Sequence, residues 1–264
     1  MRQLQSRTKR WRRSSLLLFA VLLIIAGIYV LFKKDIVHAP GKNSPPPRVA
    51  PQTLAPQTPP FNKSLYSIED PASIWLVVNK TRKLPAGFVP SGLVAPNVAL
   101  RFSGTNEQMK MRQDAATALE GLFASAKSSS YNLLLYSGYR SEAFQNQVYS
   151  SYVKRDGQAK ADTFSARPGY SEHQTGLSVD LSSSGLTCAV ETCFGDSPEG
   201  KWLAAHAHEH GFIIRYPEGK QSVTGYQYEP WHTRYVGKEL AEEISKTGQT
   251  LEEFFALPPA ADYR

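Results

Sequence analysis

The strongest constraint on the fold is a long uncharged stretch near the start of the sequence. Residues 14–32 read SSLLLFAVLLIIAGIYVLF and contain no charged side chain. As a helix, this stretch would be about 28 Å long, which is close to the hydrocarbon thickness of a bilayer. The sequence therefore predicts one transmembrane helix that holds the chain in a lipid bilayer.

The charges on either side of this stretch predict its orientation. Six basic residues precede it, and only Lys33 and Lys34 follow it directly. By the positive-inside rule, residues 1–13 are cytoplasmic and everything after Lys34 is outside. A cleaved signal peptide is the alternative, with a cleavage site after Ala39. Pro40 is a poor residue after a cut and the apolar run is longer than a usual signal core, so the pattern favours an uncleaved signal anchor.

The net charge of +7 belongs almost entirely to this N-terminal region. Residues 1–34 contain eight basic residues and no acidic one, so the other 230 residues hold 22 basic and 23 acidic residues. Proteins that bind nucleic acid carry a basic surface on the binding domain. The body of this chain has no such excess, and we expect no nucleic-acid partner.

The segment after the apolar run is rich in proline. Eight prolines fall between Pro40 and Pro60, mostly among small or polar residues. Proline lacks an amide donor and fixes φ, so this segment is expected to form an extended spacer. The predicted organisation is a cytoplasmic segment (1–13), an anchor (14–32), a linker (33–63), a folded domain (64–257) and a tail (258–264).

The folded domain has a mixed pattern of helices and strands. Short apolar runs predict strands at residues 73–78, 131–136 and 212–215. Helical spacing or composition predicts helices at residues 105–125, 142–153 and 200–210, and Pro230 followed by WHTRYVGKELAEEISKTG predicts a helix that ends at Gly248. Because helices and strands do not alternate regularly, the pattern favours an α+β fold.

The chain has two cysteines, Cys188 and Cys193, in a loop rich in small residues. In a domain outside the cytoplasm, a local disulfide is the favoured interpretation. A pair of metal ligands and two free thiols are the alternatives.

Two segments concentrate the residues that could carry chemistry. His173 precedes Asp180 by seven residues, and Glu229 precedes His232 by three. Two histidines and one aspartate can hold a tetrahedral zinc ion with one position left for water. A nearby carboxylate can take a proton from that water. We expect Glu229 at the cap of the helix that begins at Pro230, with His232 in its first turn.

These segments resemble a known family of zinc peptidases. SEHQTGLSVDL fits the pattern S-x-H-x-x-G-x-x-x-D, YEPWH fits E-x-W-H, and YSGYRS precedes both. In this order the motifs are similar to those of VanY-type D-alanyl-D-alanine carboxypeptidases, which are related to D,D-dipeptidases, L,D-carboxypeptidases and the Hedgehog signalling domain. The resemblance covers about 180 residues, from VVNKTRKLPAGFVPSGLV to EGKWLAAHAHEHGFIIRYPEGK and beyond. It implies a small antiparallel sheet flanked by helices.

The resemblance also implies roles for individual residues. It assigns zinc binding to His173, Asp180 and His232, the general base to Glu229, and binding of the scissile carbonyl or the terminal carboxylate to Arg140. Further substrate contacts are implied at four positions: Gln145, Ser171, Tyr226 and Trp231. The last two could equally be core aromatics. The histidines at 206, 208 and 210 do not fit H-E-x-x-H and are interpreted as a solvated helix end.

The implied activity is zinc-dependent removal of the terminal D-alanine from peptidoglycan stem peptides. Together with the predicted anchor, this places the catalytic domain outside the bacterial cell membrane, where it would meet the wall. An L,D-carboxypeptidase acting on tetrapeptide stems is the alternative within the enzyme class. A non-catalytic wall-binding module is the alternative outside it, and it is disfavoured because all four ligand and base residues are present.

Overall fold

A computed structural model of the chain describes residues 61–263. The predicted cytoplasmic segment, the predicted anchor and nearly all of the predicted linker lie outside these residues. Within residues 61–263, none of the helices combines the length and the apolar character needed to cross a bilayer. The anchor at 14–32 and its orientation therefore stay predictions from the sequence.

Two antiparallel sheets form the described domain. The small sheet pairs β1 (Leu93–Val94) with β2 (Met111–Arg112). The main sheet has the strand order β3-β4-β6-β5, and each neighbouring pair is antiparallel. Its strands are β3 (Leu133–Ser137), β4 (Ser178–Ser183), β5 (Phe212–Tyr216) and β6 (Glu229–Tyr235).

Helices surround the sheets, which confirms the predicted α+β fold. They are α1 (Gln113–Ser128), α2 (Glu142–Asp156), α3 (Gln158–Ala161), α4 (Pro198–His206), α5 (Gln221–Thr224), α6 (Lys238–Thr247) and α7 (Leu251–Phe254). Short 3-10 helices lie at Glu107–Met109, Glu172–Thr175, Thr192–Asp196 and Ala207–His210.

In the main core, the apolar face of α1 packs against one face of the main sheet. Leu119 and Leu122 of α1 belong to one buried cluster with Leu135 of β3 and with Val179 and Leu181 of β4. Successive side chains of a strand point to opposite faces. The residue between the last two, Asp180, therefore points away from this core.

The predicted strand at residues 73–78 is wrong. This segment is largely buried, but it turns at Ile74 and Trp75 and joins neither sheet. The guanidinium of Arg234 donates hydrogen bonds to the carbonyls of Ile74 (3.1 Å) and Leu76 (2.7 Å). The indole of Trp75 donates to the carbonyl of Val236 at 2.9 Å. Hydrogen bonds from the side chain of Arg234 and from the indole of Trp75 thus hold this apolar segment in place, although it pairs with no strand of either sheet.

The predicted helix from Pro230 is also wrong over its first turns. Residues Glu229–Tyr235 form β6, an inner strand of the main sheet, and the helix α6 begins only at Lys238. Pro230 is tolerated there because it is the second residue of the strand, next to a shift in the register between β5 and β6. The run from Trp231 to Tyr235 is rich in aromatic and β-branched residues, which favour a strand. Glu229 and His232 consequently lie on a strand, and the predicted stop at Gly248 is confirmed.

The other predicted elements are present, some with different bounds. The strands at 131–136 and 212–215 correspond to β3 and β5, and the helix at 142–153 corresponds to α2. The helix predicted from residue 105 begins at Gln113, because the preceding residues form a 3-10 turn and β2. The helix predicted to reach residue 210 changes to a 3-10 helix after His206.

Residues 258–263, which the sequence suggests are a tail, pack on the domain. Ala260 is fully buried. The hydroxyl of Tyr263 accepts a hydrogen bond from the backbone N–H of Arg167 at 2.9 Å and lies 3.2 Å from the hydroxyl of Tyr226. The ammonium of Lys80 donates to the carbonyl of Ala261 at 2.9 Å.

Candidate metal centre and active-site cavity

The predicted ligands Asp180 and His232 are direct neighbours across two strands. Asp180 of β4 is paired with His232 of β6 in the antiparallel register. Side chains at such positions lie on the same face of the sheet, about 5 Å apart at Cβ. The pairing of β4 with β6 therefore brings a carboxylate and an imidazole together although 52 residues separate them in the sequence.

His173 reaches the same point from the 3-10 helix that precedes β4. Gly176 ends that helix in the left-handed conformation, with φ of 68°, and turns the chain into the strand. His173 Nε2 lies 3.3 Å from Asp180 Oδ1, and His232 Nδ1 lies 3.5 Å from the same oxygen. One ligand atom from each of the three residues lies within 4.8 Å of the others. We call these three residues and Glu229 the metal cluster.

The metal cluster fits a zinc ion. Asp180 Oδ1 is buried, and none of the described residues gives it a hydrogen bond. Zinc binds nitrogen and oxygen ligands at about 2.0–2.1 Å, so the edges of its coordination tetrahedron are about 3.4 Å long. The two nitrogen–oxygen separations of 3.3 and 3.5 Å match that edge. They are long for hydrogen bonds, so a cation between the three side chains accounts for both the spacing and the unpaired oxygen.

The backbone fixes the tautomer of His173. Its Nδ1 lies 2.7 Å from the carbonyl oxygen of Gly138. A carbonyl only accepts, so Nδ1 carries the proton and Nε2 presents its lone pair to the cluster. A Cβ at Gly138 would lie 2.5 Å from the carbonyl oxygen of Lys110. Glycine is therefore required where the chain brings this carbonyl to the histidine.

The charge states of the ligands suit metal binding. Burial, aided by the positive charge of Arg140, lowers the pKa of His173 to about 4, so the imidazole is neutral at pH 7. Burial by itself would raise the pKa of Asp180, but its interactions with His173 and with the positive charge of Arg140 lower it instead. The cluster thus offers an anionic oxygen and a neutral nitrogen.

Glu229 stands beside the ligands in a different electrostatic state. Its side chain is only 7% exposed, and its Oε2 lies 3.5 Å from His232 Nδ1. Burial and the negative charge of Asp180 raise the pKa of Glu229 well above its usual value, against the opposite effect of Arg140. A carboxyl group with a raised pKa next to a metal site is suited to accept and return a proton.

Arg140 lies among the same residues and donates to several of them. Its Nη2 is 2.5 Å from Asp180 Oδ2 and 3.0 Å from His173 Nε2, and its Nε donates to Ser137 Oγ at 3.0 Å. Its Nη1 donates to Gln145 Oε1 at 3.3 Å. A metal ion would compete with the guanidinium for the lone pair of His173.

The cluster lies in a cavity of about 310 Å³. The residues predicted to contact substrate all line this cavity: Arg140, Gln145, Ser171, Tyr226 and Trp231. The amide of Gln145 also joins Arg140 to the carbonyl of Ala166, to which it donates at 2.7 Å. Trp231 belongs to the main core as well, so it has both of the roles between which the sequence could not decide.

A second buried group next to the ligands is absent from the sequence predictions. Glu172 Oε1 accepts from Arg215 (2.8 Å) and Arg234 (2.7 Å), and Arg215 also pairs with Glu252 at 2.6 Å. All four side chains are 0% exposed. We call them the ion-pair cluster. Glu172 Oε2 lies 3.6 Å from His232 Nε2, so this cluster supports the far side of a ligand histidine.

The cysteines and the remaining histidines lie apart from the metal cluster. A disulfide joins Cys188 and Cys193. Val190, within that disulfide loop, lines the cavity. His206 stacks on Trp202 and pairs with Glu209 at 3.0 Å, with side chains 42% and 49% exposed. Within residues 61–263, His206, His208 and His210 belong to no metal-binding group.

Comparison with known proteins identifies close relatives. A family model described as VanY, D-alanyl-D-alanine carboxypeptidase, matches residues 108–238. The chain is 43% identical over 191 residues to YodJ of Bacillus subtilis, a putative carboxypeptidase, and the match covers 72% of this chain and 70% of that protein.

Two solved structures share the fold. The LD-carboxypeptidase LdcB, whose structure addresses peptidoglycan recognition, is 43% identical with a TM-score of 0.67, covering 70% of this chain and 87% of that one. The vancomycin-resistance D,D-pentapeptidase VanY, solved with Zn(II), is 31% identical with a TM-score of 0.59, covering 69% of this chain and 98% of that one.

Proposed function

Because the chain belongs to the VanY family of D-alanyl-D-alanine carboxypeptidases, we propose that it is a zinc-dependent enzyme that removes the terminal D-alanine from peptidoglycan stem peptides. One observation carries the proposal. His173, Asp180 and His232 converge with an unpaired carboxylate oxygen beside Glu229, inside a cavity. The solved VanY structure contains Zn(II), which supports zinc as the metal.

The three ligands would hold the zinc ion through His173 Nε2, Asp180 Oδ1 and His232 Nδ1. When bound, zinc acts as a Lewis acid and lowers the pKa of a coordinated water to about 7. Glu229 accepts a proton from the attacking water, whose oxygen forms a bond to the scissile carbonyl carbon. As the C–N bond breaks, Glu229 returns that proton to the leaving amine of D-alanine.

Arg140 binds the substrate and takes no part in the proton transfer by Glu229. Its guanidinium is charged at all working pH values and can donate to the scissile carbonyl oxygen or to the terminal carboxylate. Gln145 and Ser137 hold the guanidinium in place through two of its nitrogens. Ser171, Tyr226 and Trp231 are proposed to shape the cavity around the terminal residue.

The test is D-alanine release by the full-length protein from a pentapeptide that ends in D-Ala-D-Ala. Glu229→Gln is expected to lower kcat about 10²–10⁴-fold, with zinc binding retained. Glu209→Gln is the matched control, since this glutamate is half-exposed and, within residues 61–263, pairs only with His206. Removing zinc with a chelator should abolish release, and zinc should restore it. Full activity of Glu229→Gln, or activity that survives chelation, would contradict the assignment.

An L,D-carboxypeptidase is the second candidate. It is favoured by the comparison with LdcB, because the chain matches LdcB with a higher sequence identity and TM-score than it matches the D,D-pentapeptidase VanY. The same assay decides between the two. Faster turnover of the pentapeptide supports the D,D activity, whereas faster turnover of the tetrapeptide, whose penultimate residue has an L centre, supports the L,D activity.

We also propose that residues 14–32 anchor the enzyme in the cell membrane, with the N-terminus in the cytoplasm and the domain outside. The support is the uncharged run with basic residues before it. In protoplasts, whose wall has been removed but whose membrane is intact, an external protease should digest the domain. The full-length protein should stay with the membrane when the membrane is washed at high pH. Protection from the protease would contradict this orientation.

A further inference from the structure

Two arginines line the active-site cavity, and the structure uses them differently. Arg140 donates to four side chains of the protein and is 17% exposed. Arg101 is exposed, and no ion pair or side-chain hydrogen bond engages its guanidinium within residues 61–263. Of the two arginines that line the cavity, Arg101 is thus the one without an ion pair or side-chain hydrogen bond among the described residues.

The backbone holds Arg101 firmly although its side chain is exposed. The N–H of Arg101 donates to the carbonyl of Leu135 at 3.0 Å, and the N–H of Leu135 donates to the carbonyl of Ala99 at 2.9 Å. Leu100 forms a parallel bridge with Leu135. Residues 99–101 therefore pair along the outer edge of β3, the strand that leads into the loop carrying Arg140.

Aromatic rings hold the side chain as well. The guanidinium carbon of Arg101 lies 3.8 Å from the ring centre of Tyr136 and 4.6 Å from that of Phe102. Tyr136 itself lines the cavity. Stacking on an aromatic face restrains a guanidinium but leaves its N–H groups free at the edge of the plane. A restrained guanidinium with free N–H groups loses little freedom when it binds a carboxylate in a bidentate manner.

We propose that Arg101 is a substrate-binding residue that takes a carboxylate of the peptide at the mouth of the cavity. The inference rests on the proposed function, which supplies the peptide substrate. Such peptides offer two sources of carboxylate: the C-terminus and acidic residues upstream of it. Because Arg101 is exposed, whereas Arg140 is only partly exposed and lies among the metal ligands, an upstream carboxylate is the expected partner.

The test compares two pentapeptides that end in D-Ala-D-Ala and differ in one group, an upstream free carboxylate or its carboxamide. With the zinc-loaded, full-length enzyme, Arg101→Gln is expected to raise KM about tenfold for the acidic peptide, with kcat unchanged and with KM for the amide peptide unchanged. An equal rise for both peptides identifies the terminal carboxylate as the partner. An unchanged KM for both peptides overturns the proposal.

Two further variants guard this test. Arg155→Gln is the matched control, because its guanidinium also lies over a tyrosine ring, 4.9 Å from the centre of Tyr152, but pairs with Asp156 and does not line the cavity. It should leave KM unchanged. Arg101→Lys keeps the charge without the flat fork and should restore part of the affinity for the acidic peptide.

A direct binding measurement separates this proposal from the function on which it rests. If the wild-type enzyme releases no D-alanine from either peptide, the proposed activity fails. The acidic peptide is then titrated calorimetrically into the wild type and into Arg101→Gln. Binding about tenfold weaker to the variant supports the role of Arg101, and equal binding overturns it.

Discussion

The metal cluster and the ion-pair cluster are adjacent groups of buried charged side chains, and they touch where His232 meets Glu172. In the ion-pair cluster, both arginines and both glutamates pair with each other at 2.6–2.8 Å. In the metal cluster, Asp180 Oδ1 has no hydrogen-bond partner among residues 61–263.

The difference separates structural charges from functional ones. Burying a polar group without a partner costs free energy, so folded proteins pair nearly all such groups. The ion-pair cluster obeys this rule with protein partners alone, and of its four members Glu172 alone lines the cavity. The metal cluster obeys it only with a partner from outside the chain, and it opens into the cavity. The four predictions below test this distinction.

The largest expected effect is the loss of a partner in the ion-pair cluster. Arg215→Met leaves Glu252 buried without its bidentate partner, so we expect the free energy of unfolding to fall by about 3–5 kcal/mol. Urea denaturation measures the change. Lys246→Met is the control, because that exposed residue pairs with Glu243 at the surface and should cost less than about 1 kcal/mol. Similar losses for the two variants would contradict the structural role of the cluster.

The second prediction completes the metal cluster. Zinc at a hundred times its Kd should raise the free energy of unfolding by about 2.7 kcal/mol, because the folded chain binds it and the unfolded chain does not. Thermal unfolding with and without zinc measures this gain. His232→Gln should remove the gain, whereas His206→Gln, at an exposed histidine, should keep it. A gain that persists in His232→Gln would place the zinc elsewhere.

The third prediction concerns pH. Burial by itself would raise the pKa of Glu252, but the charge of Arg215 and hydrogen bonds from Arg215 and Asn79 hold it below its usual value. A lowered pKa in the folded state gives stability that is present above the ordinary pKa of about 4.3 and is lost as the pH falls through the folded value. Glu252→Gln should therefore be about 2 kcal/mol less stable than the wild type at pH 7.

Lowering the pH should reduce the difference in the free energy of unfolding between the wild type and Glu252→Gln. Denaturation curves of the wild type and of Glu252→Gln between pH 7 and pH 3 would measure it. A difference that stays constant over this range would mean that Glu252 does not titrate with unfolding.

The smallest expected effect tests an exception. Gln174 Oε1 is also buried and has no hydrogen-bond partner in the described part of the chain, although this residue does not line the cavity. Its amide group donates to the carbonyl of Phe88 at 3.0 Å. We therefore expect Gln174→Leu to change the free energy of unfolding by less than about 1 kcal/mol and leave kcat/KM unchanged. A large loss of activity in a stable variant would extend the functional group beyond the cavity.

The sequence predicted which residues would converge better than it predicted the elements that carry them. His173, Asp180, Glu229 and His232 could be singled out because their order and spacing resemble the motifs of a zinc-peptidase family. The strand β6 was mistaken for a helix because Pro230 and the helical residues after it are local signals. Its pairing with β4 and β5 depends on contacts far away in the sequence.

The ion-pair cluster could not be predicted from the sequence. Arginine and glutamate are almost never fully buried unless they are paired, so Arg215, Arg234 and Glu252 would be assigned to the surface. Their partners come from β5, β6, α7 and the turn before β4, which only the folded chain brings together. Arg101 was missed for a related reason, since only its pairing along β3 places it at the cavity.

The pairing of Asp180 with His232 has a consequence for how the chain folds. A slip of β6 along β4 by one residue would turn His232 to the opposite face of the sheet and replace it with Trp231 or Thr233. A slipped chain could still bury apolar surface, but it would have one ligand fewer. Metal binding therefore favours the correct strand register. The ion would stabilise correctly folded molecules relative to compact molecules in which β6 is shifted by one residue.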